Sequence, residues 1–328
     1  GSGPNGLAAA IQLASEGWGV LVVERNPDAG GGARTAELTL PGYLHDVCSA
    51  VHPMALASPF LKSLPLEQCG LRLLQPEIPL AHPLSDGRAV VMARSLEETV
   101  SQIGGADGRA YRRTFAPLVN RADALFQQLL GPLRLPRIPF LMGRFGLDAL
   151  RPCTWLAASR FRGEEARALF AGNAAHSVMP LESACTSAIG MMLMIAGHAV
   201  GWPVAEGGSA SITEALVTHF KSLGGELVCG WEVEDIAELP AARAYLFDTP
   251  PATLSRLAAD RLPAKYLRRL RRFRHGAGVF KVDWALDGPI PWLAEPCRSA
   301  GTVHVGGTLD EISSAEREAC SGAGHPTR

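Results

Sequence analysis

The chain has 328 residues, 47% of them hydrophobic and 19% charged, a balance typical of a globular protein with a large buried core and two domains. Its formal net charge of −1 excludes a global electrostatic field that would draw nucleic acid or an anionic membrane to it. The seven cysteines are scattered without a CxxC pair, which argues against a disulfide framework, a redox-active dithiol and a structural zinc site. We therefore expect an intracellular protein without a metal site, cytoplasmic in a bacterium and with a mitochondrial location open in a eukaryote.

The first six residues, GSGPNG, place Gly1, Gly3 and Gly6 in GxGxxG spacing. The apolar residues that follow recur with the spacing of one helix face, at Leu7, Ala10, Ile11 and Ala14. A β-branched run, VLVVE, then predicts a short buried parallel strand over residues 20–24. A glycine-rich turn, a helix, a strand and an acid in this order are typical of a dinucleotide-binding unit.

Each part of this fingerprint has a physical role. Gly1 allows the tight turn, Gly3 lets the backbone approach a pyrophosphate, and Gly6 lets the helix and the strand pack closely. The helix N-terminus offers N–H groups and a positive dipole end to the phosphates. Glu24, at the end of the strand, can accept hydrogen bonds from ribose hydroxyls, and its charge disfavours the 2′-phosphate of NADP.

A second glycine-rich turn follows the acid in the run GGGART, residues 30–35. With Glu24 it resembles the E-x5-GG signature of the FAD family that holds amine oxidases and phytoene desaturases. The resemblance implies that FAD is the cofactor, that Gly30 and Gly31 lie near its pyrophosphate, and that Arg34 helps to neutralise that group.

The segment GYLHDVCSAVHPM, residues 42–54, resembles the flavin-proximal segment of phytoene dehydrogenase-related proteins. It carries His45 and His52, and an imidazole beside a flavin can serve as a base or as a hydrogen-bond donor. The alternative for both histidines is a structural role, in which their hydrogen bonds hold a loop in place.

A long stretch of different character follows. It begins with prolines over residues 75–83, followed by a turn and a strand in DGRAVVM. Helices are predicted over 95–103 and 108–130, and a loop or short helices lining a hydrophobic cavity over 131–152. The apolar stretch 188–202 is shorter than the ~20 residues that cross a bilayer, so it predicts a buried helix and not an integral membrane segment.

The chain then returns to elements of the nucleotide-binding domain. A helix with apolar residues on one face follows Gly208 and ends at glycines 224–225, and WEVEDI alternates apolar and acidic residues like a half-buried strand. In the resembled family a valine of this strand contacts the adenine through its backbone, and the resemblance gives Val233 that role. Residues 244–251, AYLFDTPP, resemble the next strand of the family.

The segment VFKVDWAL, residues 279–286, predicts a strand with apolar residues on a core face and Lys281 and Asp283 on the opposite face. A solvent-facing surface is the plain interpretation of that second face. The segment also resembles the amine-oxidase strand whose lysine holds a water at flavin N5, with Pro-Trp at residues 291–292 in the matching place. That resemblance implies that Lys281 assists hydride transfer or flavin reoxidation.

The C-terminal part adds two further patterns. The basic run 268–275 predicts a solvated helix face, with an anion-binding or membrane patch as the alternative. The last eight residues, SGAGHPTR, predict a loop. Because the chain begins inside a motif, and nothing after residue 311 matches the last FAD-binding segment of the family, we expect truncation at both ends.

Together these elements predict an α/β fold, with a discontinuous Rossmann-like FAD/NAD(P)-binding domain and an interleaved α+β substrate domain. The FAD-binding pieces are predicted at residues 1–65 and 205–259. The pieces of the substrate or cap domain are predicted at residues 66–204 and 260–328, with the C-terminal FAD-binding piece missing.

The leading hypothesis is an FAD-dependent oxidoreductase, similar to phytoene desaturases, that transfers hydride from a hydrophobic small molecule to flavin N5. Amine oxidation is another chemistry of the resembled family. A non-catalytic or regulatory flavoprotein that binds a partner is the alternative from a different class. An NAD(P)-dependent reductase ranks lower because the sequence has no second GxGxxG. No nucleic-acid partner is expected, and the oligomeric state stays open.

Overall fold

The computed structural model describes residues 1–132 and 134–321, and these form both helices and strands. The α-helices are α1 (Pro4–Ser15), α2 (Pro53–Ala57), α3 (Pro59–Lys62), α4 (Leu96–Ile103), α5 (Gly105–Val119), α6 (Ala122–Leu129), α7 (Pro139–Ala149), α8 (Cys153–Arg160), α9 (Glu164–Ala174), α10 (Thr186–Val200), α11 (Ala210–Ser222), α12 (Pro251–Leu257), α13 (Ala264–Arg271) and α14 (Leu309–Ser321). The strands are β1 (Leu21–Val23), β2 (Thr35–Glu37), β3 (Leu44–Asp46), β4 (Leu73–Leu74), β5 (Ile78–Pro83), β6 (Ala89–Met92), β7 (Val204–Ala205), β8 (Glu226–Val228) and β9 (Ala300–Val303). Short 3₁₀ helices lie at Ala175–Ser177, Ile236–Glu238, Ala259–Arg261 and Glu295–Arg298.

Two predicted loops extend beyond the described residues. Leu133 belongs to the predicted loop segment 131–152, and residues 322–328 belong to the predicted terminal loop; both lie outside the described residues. Ser321, the first residue of that terminal loop, is the last residue of α14.

The N-terminal helix and strand fold as the fingerprint predicts. Pro4 occupies the first turn of α1, where its missing N–H leaves no hydrogen bond unmade, and the helix buries its predicted apolar face of Leu7, Ala10, Ile11 and Ala14. β1 pairs in parallel with β8, with Val22 opposite Leu227. Val22 is buried and Leu21 is exposed, so the strand is shorter and less buried than the run over residues 20–24 predicts.

One hydrophobic core joins α1 to segments that are far away in the sequence. Leu7 and Ile11 of α1 share it with Leu216 and Phe220 of α11, which are fully buried. Leu66, Leu71 and Ala205, from other segments, also belong to its buried set. The helix predicted after Gly208 is therefore confirmed, and its apolar face fixes it against the N-terminal helix.

A second, larger core lies among the helices between residues 96 and 200. α10 contributes Met191, Met194 and Ile195, which are fully buried, and this confirms the predicted buried helix. The single helix predicted over 108–130 is two helices, α5 and α6, because the chain turns at Asn120 and Arg121. α7 forms within the predicted loop segment 131–152.

A three-stranded sheet covers this helical region, in the order β6-β5-β9. The turn and the strand predicted from DGRAVVM are confirmed, and the strand β6 pairs with β5, which the sequence did not predict, in a hairpin. Its turn is set by Gly87, with a φ of 85°, and by Asp86, whose Oδ1 accepts from the Arg88 amide at 3.0 Å. β9 pairs in parallel with β5, so residues 300–303 share a sheet with residues 78–81. The exact domain boundaries stay a prediction.

The strand predicted in WEVEDI is wrong. Residues 231–235 form no strand, and a 3₁₀ helix begins at Ile236. Asp235 accepts from the Ala237 amide at 2.8 Å while Glu238 accepts from the Asp235 amide at 3.0 Å. This reciprocal capping box ends the extended backbone at Asp235, the last acid of WEVEDI.

The strands predicted over 244–251 and 279–286 are also wrong. Within the part of the chain that the structure describes, neither segment joins a ladder. In residues 244–250 the side chain of Asp248 contacts the Gly6 amide, as described below. The apolar residues of the second segment face solvent, with Phe280 91% and Trp284 71% exposed, so they form no core face.

Among the helices of residues 1–132 and 134–321, none combines the length and the apolar character needed to cross a bilayer.

Candidate dinucleotide-binding site

The two glycine-rich turns lie against each other and form the floor of the candidate site. A side chain at Gly6 would place its Cβ 2.3 Å from the carbonyl oxygen of Gly1. Gly31 has a φ of 56°, and a Cβ there would lie 2.9 Å from the Cα of Gly3. We call Gly1, Gly3, Gly6 and Gly31 the glycine cradle. Because none of the four carries a side chain, the cradle offers backbone atoms at the N-terminus of α1, as phosphate binding requires.

Glu24 lies at the end of β1 with 6% of its surface exposed. Its Oε2 accepts from the amide and the hydroxyl of Ser2 at 2.9 and 2.8 Å. Its Oε1 accepts from the backbone and side-chain amides of Asn26 at 3.0 and 2.6 Å. Burial favours a raised pKa for Glu24, but the hydrogen bonds from Asn26 and Ser2 outweigh it and lower the pKa to about 2.

These four bonds limit what Glu24 can do for a ribose. A carboxylate offers about four acceptor positions, and Ser2 and Asn26 already use that number. A ribose hydroxyl must therefore replace one of the present donors. The Ser2 hydroxyl and the Asn26 side-chain amide are the two donors that can turn away without moving the backbone, so the predicted role of Glu24 requires one of these side chains to rotate.

Arg34 folds back over the second glycine turn. Its Nε donates to the carbonyl oxygen of Gly31 at 2.9 Å. Gly30 has a φ of 135°, and a Cβ there would lie 2.7 Å from the Cγ of Arg34. The guanidinium is therefore held beside the cradle, where its charge can act on a bound phosphate.

Val233 lies beyond the end of β8. The amides of Gly230 and Trp231 donate to the carbonyl oxygens of Asn26 and Glu24 at 2.8 and 3.0 Å, so this segment stays beside the end of β1. Val233 itself is half-buried, between exposed acidic neighbours. Burial therefore alternates along this segment although it forms no strand. The contact of Val233 with an adenine stays a prediction.

His52 joins its loop to the start of α11. Its Nε2 lies 2.7 Å from the hydroxyl oxygen of Ser209, and that hydroxyl donates to the carbonyl oxygen of Ser49. Since the hydroxyl has one proton, His52 donates through Nε2. Burial lowers the pKa of His52, with Asp46 opposing the shift, so the ring is neutral at neutral pH. This bonding favours the structural alternative for His52, and its catalytic role stays a prediction.

His45 and Lys281 meet at Asp283. Nδ1 of His45 lies 3.7 Å from Oδ1 of Asp283, and Nζ of Lys281 contacts the same oxygen. Nε2 of His45 lies 2.7 Å from the hydroxyl oxygen of Thr39. The hairpin of β2 and β3 that carries His45 begins directly after Arg34, so this cluster is attached to the second glycine turn. The structure thus brings together two of the three predicted catalytic residues.

Three site residues escaped the sequence patterns. Ser2 and Asn26 occupy variable positions of the motif, and a hydroxyl or an Asx side chain near a buried acid is the signal that points to them. Asp248 accepts a hydrogen bond from the Gly6 amide at 2.9 Å, across 242 residues of sequence. No local spacing predicts that contact.

Three histidines meet in the other half of the molecule. Nε2 of His176 lies 3.1 Å from Nε2 of His304, and Nε2 of His82 donates to the carbonyl oxygen of Gly307 at 2.6 Å. Burial, with His176 and His82 nearby, lowers the pKa of His304 to about 3, and burial also lowers the pKa of His82. We call His82, His176 and His304 the histidine cluster; it is neutral at neutral pH. In the parts of the chain that the structure describes, no group of three or more His, Cys, Asp or Glu side chains is arranged to hold a metal ion.

Comparison with known proteins agrees with this geometry. Residues 1–62 match the NAD(P)-binding Rossmann-like domain family. One of the subunits of limonene dehydrogenase from Castellaniella defragrans is 30% identical over 126 residues, which are 38% of this chain and 23% of that protein. The lycopene-forming phytoene desaturase of Pseudescherichia vulneris is 28% identical over 271 residues, which are 76% of this chain and 53% of that protein.

A solved structure of putrescine oxidase, a mutant from a redesign of its cofactor binding, has a TM-score of 0.51 at 18% identity and covers 83% of this chain and 61% of that one. At this identity the likeness shows the fold. The chain spans no more than 53% of the length of either curated relative. The motif, the relatives and the fold agree, and they confirm the predicted resemblance: the chain is similar in sequence to a phytoene desaturase and in fold to an amine oxidase, and its first 62 residues match a Rossmann-like nucleotide-binding domain.

Proposed function

We propose that this chain is part of an FAD-dependent oxidoreductase that transfers hydride from a hydrophobic small molecule to flavin N5, in the manner of a phytoene desaturase. The observation that carries the proposal is the glycine cradle. It lies at the N-terminus of α1, and the buried carboxylate of Glu24 ends the adjacent parallel strand. The intracellular location expected from the scattered cysteines belongs to the same proposal.

The residues of the site fit a dinucleotide such as FAD. A Cβ at Gly1, Gly6 or Gly31 would collide with backbone atoms of this chain, so only glycine lets these segments pack closely and keep bare backbone at the N-terminus of α1. The amides of the α1 N-terminus and the guanidinium of Arg34 would hold the diphosphate. Glu24 would bind the ribose, and the backbone of Val233 would contact the adenine.

When bound, FAD supplies the group that accepts the hydride. The chain's own residues bind and orient the cofactor and the substrate and shield them from water. Lys281 and His45 are the candidates to act near the reacting atoms. Asp283 holds the ammonium of Lys281 and lies 3.7 Å from Nδ1 of His45, so it can keep both side chains in place and balance the charge of Lys281.

A hydrophobic substrate is supported by the relatives and by the helical region. One relative is named for limonene and the other for phytoene, both of which are hydrocarbons. The proposed substrate domain comprises residues 66–204 and 260–328. Its two pieces share the sheet in which β9 pairs with β5, and its core is lined by apolar side chains from α5 to α10.

The test is anaerobic reduction of the flavin in the FAD-loaded chain by a hydrophobic polyene or terpene, compared with a primary amine. Bleaching of the flavin by the hydrocarbon supports the proposal, and bleaching by the amine supports the amine-oxidase chemistry instead. Lys281→Met should slow flavin reduction or reoxidation, whereas Lys265→Met, on the exposed helix α13, should change neither rate. Equal rates for Lys281→Met and the unmodified chain remove Lys281 from the proposal.

The alternative is a non-catalytic flavoprotein that binds a partner, and one observation favours it. Phe280, Trp284 and Leu293 are each at least 71% exposed within one segment, and exposed apolar side chains of this size are typical of interaction surfaces. A chain that binds and photoreduces FAD but shows no turnover with any substrate and acceptor pair would support this alternative.

A further inference from the structure

Asp248 lies across the glycine cradle. Its Oδ2 accepts a hydrogen bond from the Gly6 amide at 2.9 Å and lies 3.2 Å from the point where a Cβ of Gly3 would be. The carbonyl oxygen of Asp248 lies 2.6 Å from the corresponding point at Gly1. The absent side chains of three motif glycines therefore make room for one aspartate.

The contact uses the same physics as phosphate binding. Pro4 has no N–H, and the Leu7 amide bonds to the carbonyl oxygen of Gly3, so the Gly6 amide is a first-turn donor that needs a partner from outside the helix. An anion at a helix N-terminus is stabilised by the free N–H groups and by the helix dipole. The carboxylate of Asp248 supplies such an anion from within the chain.

The segment that carries Asp248 is attached at its two ends. The guanidinium of Arg243 stacks over the ring of Trp18 at 4.5 Å, just after the C-terminal end of α1, and Asp248 bonds at the N-terminal end. Residues 241–250 between the flanking elements form neither a helix nor a strand, and most of them are exposed. Moving the carboxylate away from Gly6 therefore breaks no ladder in this segment.

We propose that Asp248 is a displaceable carboxylate that occupies the phosphate end of the glycine cradle and sets the affinity for the dinucleotide. A diphosphate and the carboxylate compete for the Gly6 amide, and like charges cannot share it. The inference rests on the proposed function, because the competitor is the diphosphate of FAD. It assigns to Asp248 a role in cofactor affinity, which is separate from the chemical step.

The test compares Asp248→Asn, Asp248→Ala and the unmodified chain for binding of FAD, by flavin fluorescence, and of inorganic pyrophosphate, by calorimetry. Asparagine keeps the size of the side chain and its hydrogen bond to Gly6 but removes the charge. Asp28→Asn is the matched control, since Asp28 is an exposed acid two residues before Gly30. We expect both Asp248 variants to bind both ligands at least about tenfold more tightly, which corresponds to about 1.4 kcal/mol, and the control to bind as the unmodified chain does.

Asp248→Ala also loses the hydrogen bond that caps the helix, so its folding is checked by thermal melts. If Asp248→Ala is unfolded, the conclusion is drawn from Asp248→Asn alone. Unchanged or weaker binding of both ligands by Asp248→Asn overturns the inference, while FAD binding by the unmodified chain keeps the proposed function. If Asp248→Asn binds pyrophosphate more tightly but no form binds FAD, the inference is supported and the proposed function is contradicted. If no form binds either ligand, both fail.

Discussion

The glycine cradle and the segment 276–293 are both candidate parts of one flavin site, and they are built in opposite ways. In the cradle the candidate cofactor-binding atoms belong to the backbone. The helix α1 beneath it is fixed by the fully buried side chains of Leu7 and Ile11. In the segment 276–293 the candidate groups are the side chains of Lys281 and Asp283, and the apolar neighbours Phe280 and Trp284 are exposed. A site made of backbone depends on sterics and burial, whereas this site of side chains depends on the contacts of Asp283 with Lys281 and His45. Substitutions should therefore have large effects in the first region and small effects on stability in the second.

The largest effect is expected at Gly6. Gly6→Ala puts a Cβ 2.3 Å from a backbone oxygen that cannot give way, so we expect it to lower the free energy of unfolding by about 3 kcal/mol. Gly146→Ala is the matched control, because Gly146 lies inside α7, and apart from its chain neighbours and the backbone of that helix no described atom is within 4 Å of its Cβ position. That change should raise stability by about 0.5–1 kcal/mol through helix propensity. Denaturant unfolding measures the free energy of unfolding of both variants. An unchanged free energy of unfolding in Gly6→Ala would refute the close packing around Gly6.

The next effect is expected at Glu24. Glu24→Ala leaves the donors of Ser2 and Asn26 without their charged acceptor, and we expect a loss of about 2–3 kcal/mol in the free energy of unfolding. Because folding lowers the pKa of Glu24, its stabilisation is complete above pH 4.5 and is lost as the pH falls towards 2. Acid unfolding curves should therefore flatten in the variant. Glu16→Ala, at the exposed end of α1, should change neither the free energy of unfolding nor its dependence on pH. An equal loss of stability in Glu16→Ala would argue against the special role of Glu24.

A smaller effect is expected from the histidine cluster. Because folding lowers the pKa of His304 to about 3, its stabilisation is complete above the ordinary value of 6.5 and is lost as the pH falls below it. Between pH 7.5 and 5 we expect His304 to account for a loss of roughly 1–2 kcal/mol. His304→Gln should remove that part of the pH dependence, as measured by urea unfolding at both pH values. An equally steep dependence in His304→Gln and the unmodified chain would contradict the assignment.

The smallest effect on stability is expected at Lys281. Its contact with Asp283 is a surface ion pair, so Lys281→Met should change the free energy of unfolding by less than about 1 kcal/mol. Raising the salt concentration should reduce this difference further. A loss as large as that of Gly6→Ala would show that the segment 276–293 is fixed as firmly as the cradle, and the comparison between the two regions would fail.

The same contrast explains what the sequence could predict. The GxGxxG spacing, the apolar face of α1 and the parallel β1 could be read locally, because glycine sterics and helix periodicity act over a few residues. The strands predicted in WEVEDI and VFKVDWAL failed because alternation does not specify a pairing partner, and in the first case Asp235 and Glu238 form a capping box instead. The contact of Asp248 with Gly6 and the meeting of His176 with His304 join residues more than one hundred positions apart, and no local pattern encodes them.

The most direct test of the central claim is titration of the purified chain with FAD, followed by flavin fluorescence and by the visible absorption bands of oxidised flavin. The glycine cradle predicts saturable binding of one FAD per chain by the unmodified protein and by Gly146→Ala. It also predicts that Gly6→Ala, measured at a temperature where that variant is folded, loses this binding. Absence of saturable binding in the unmodified chain, or equal affinity in folded Gly6→Ala, would contradict the assignment of the cradle as the cofactor site.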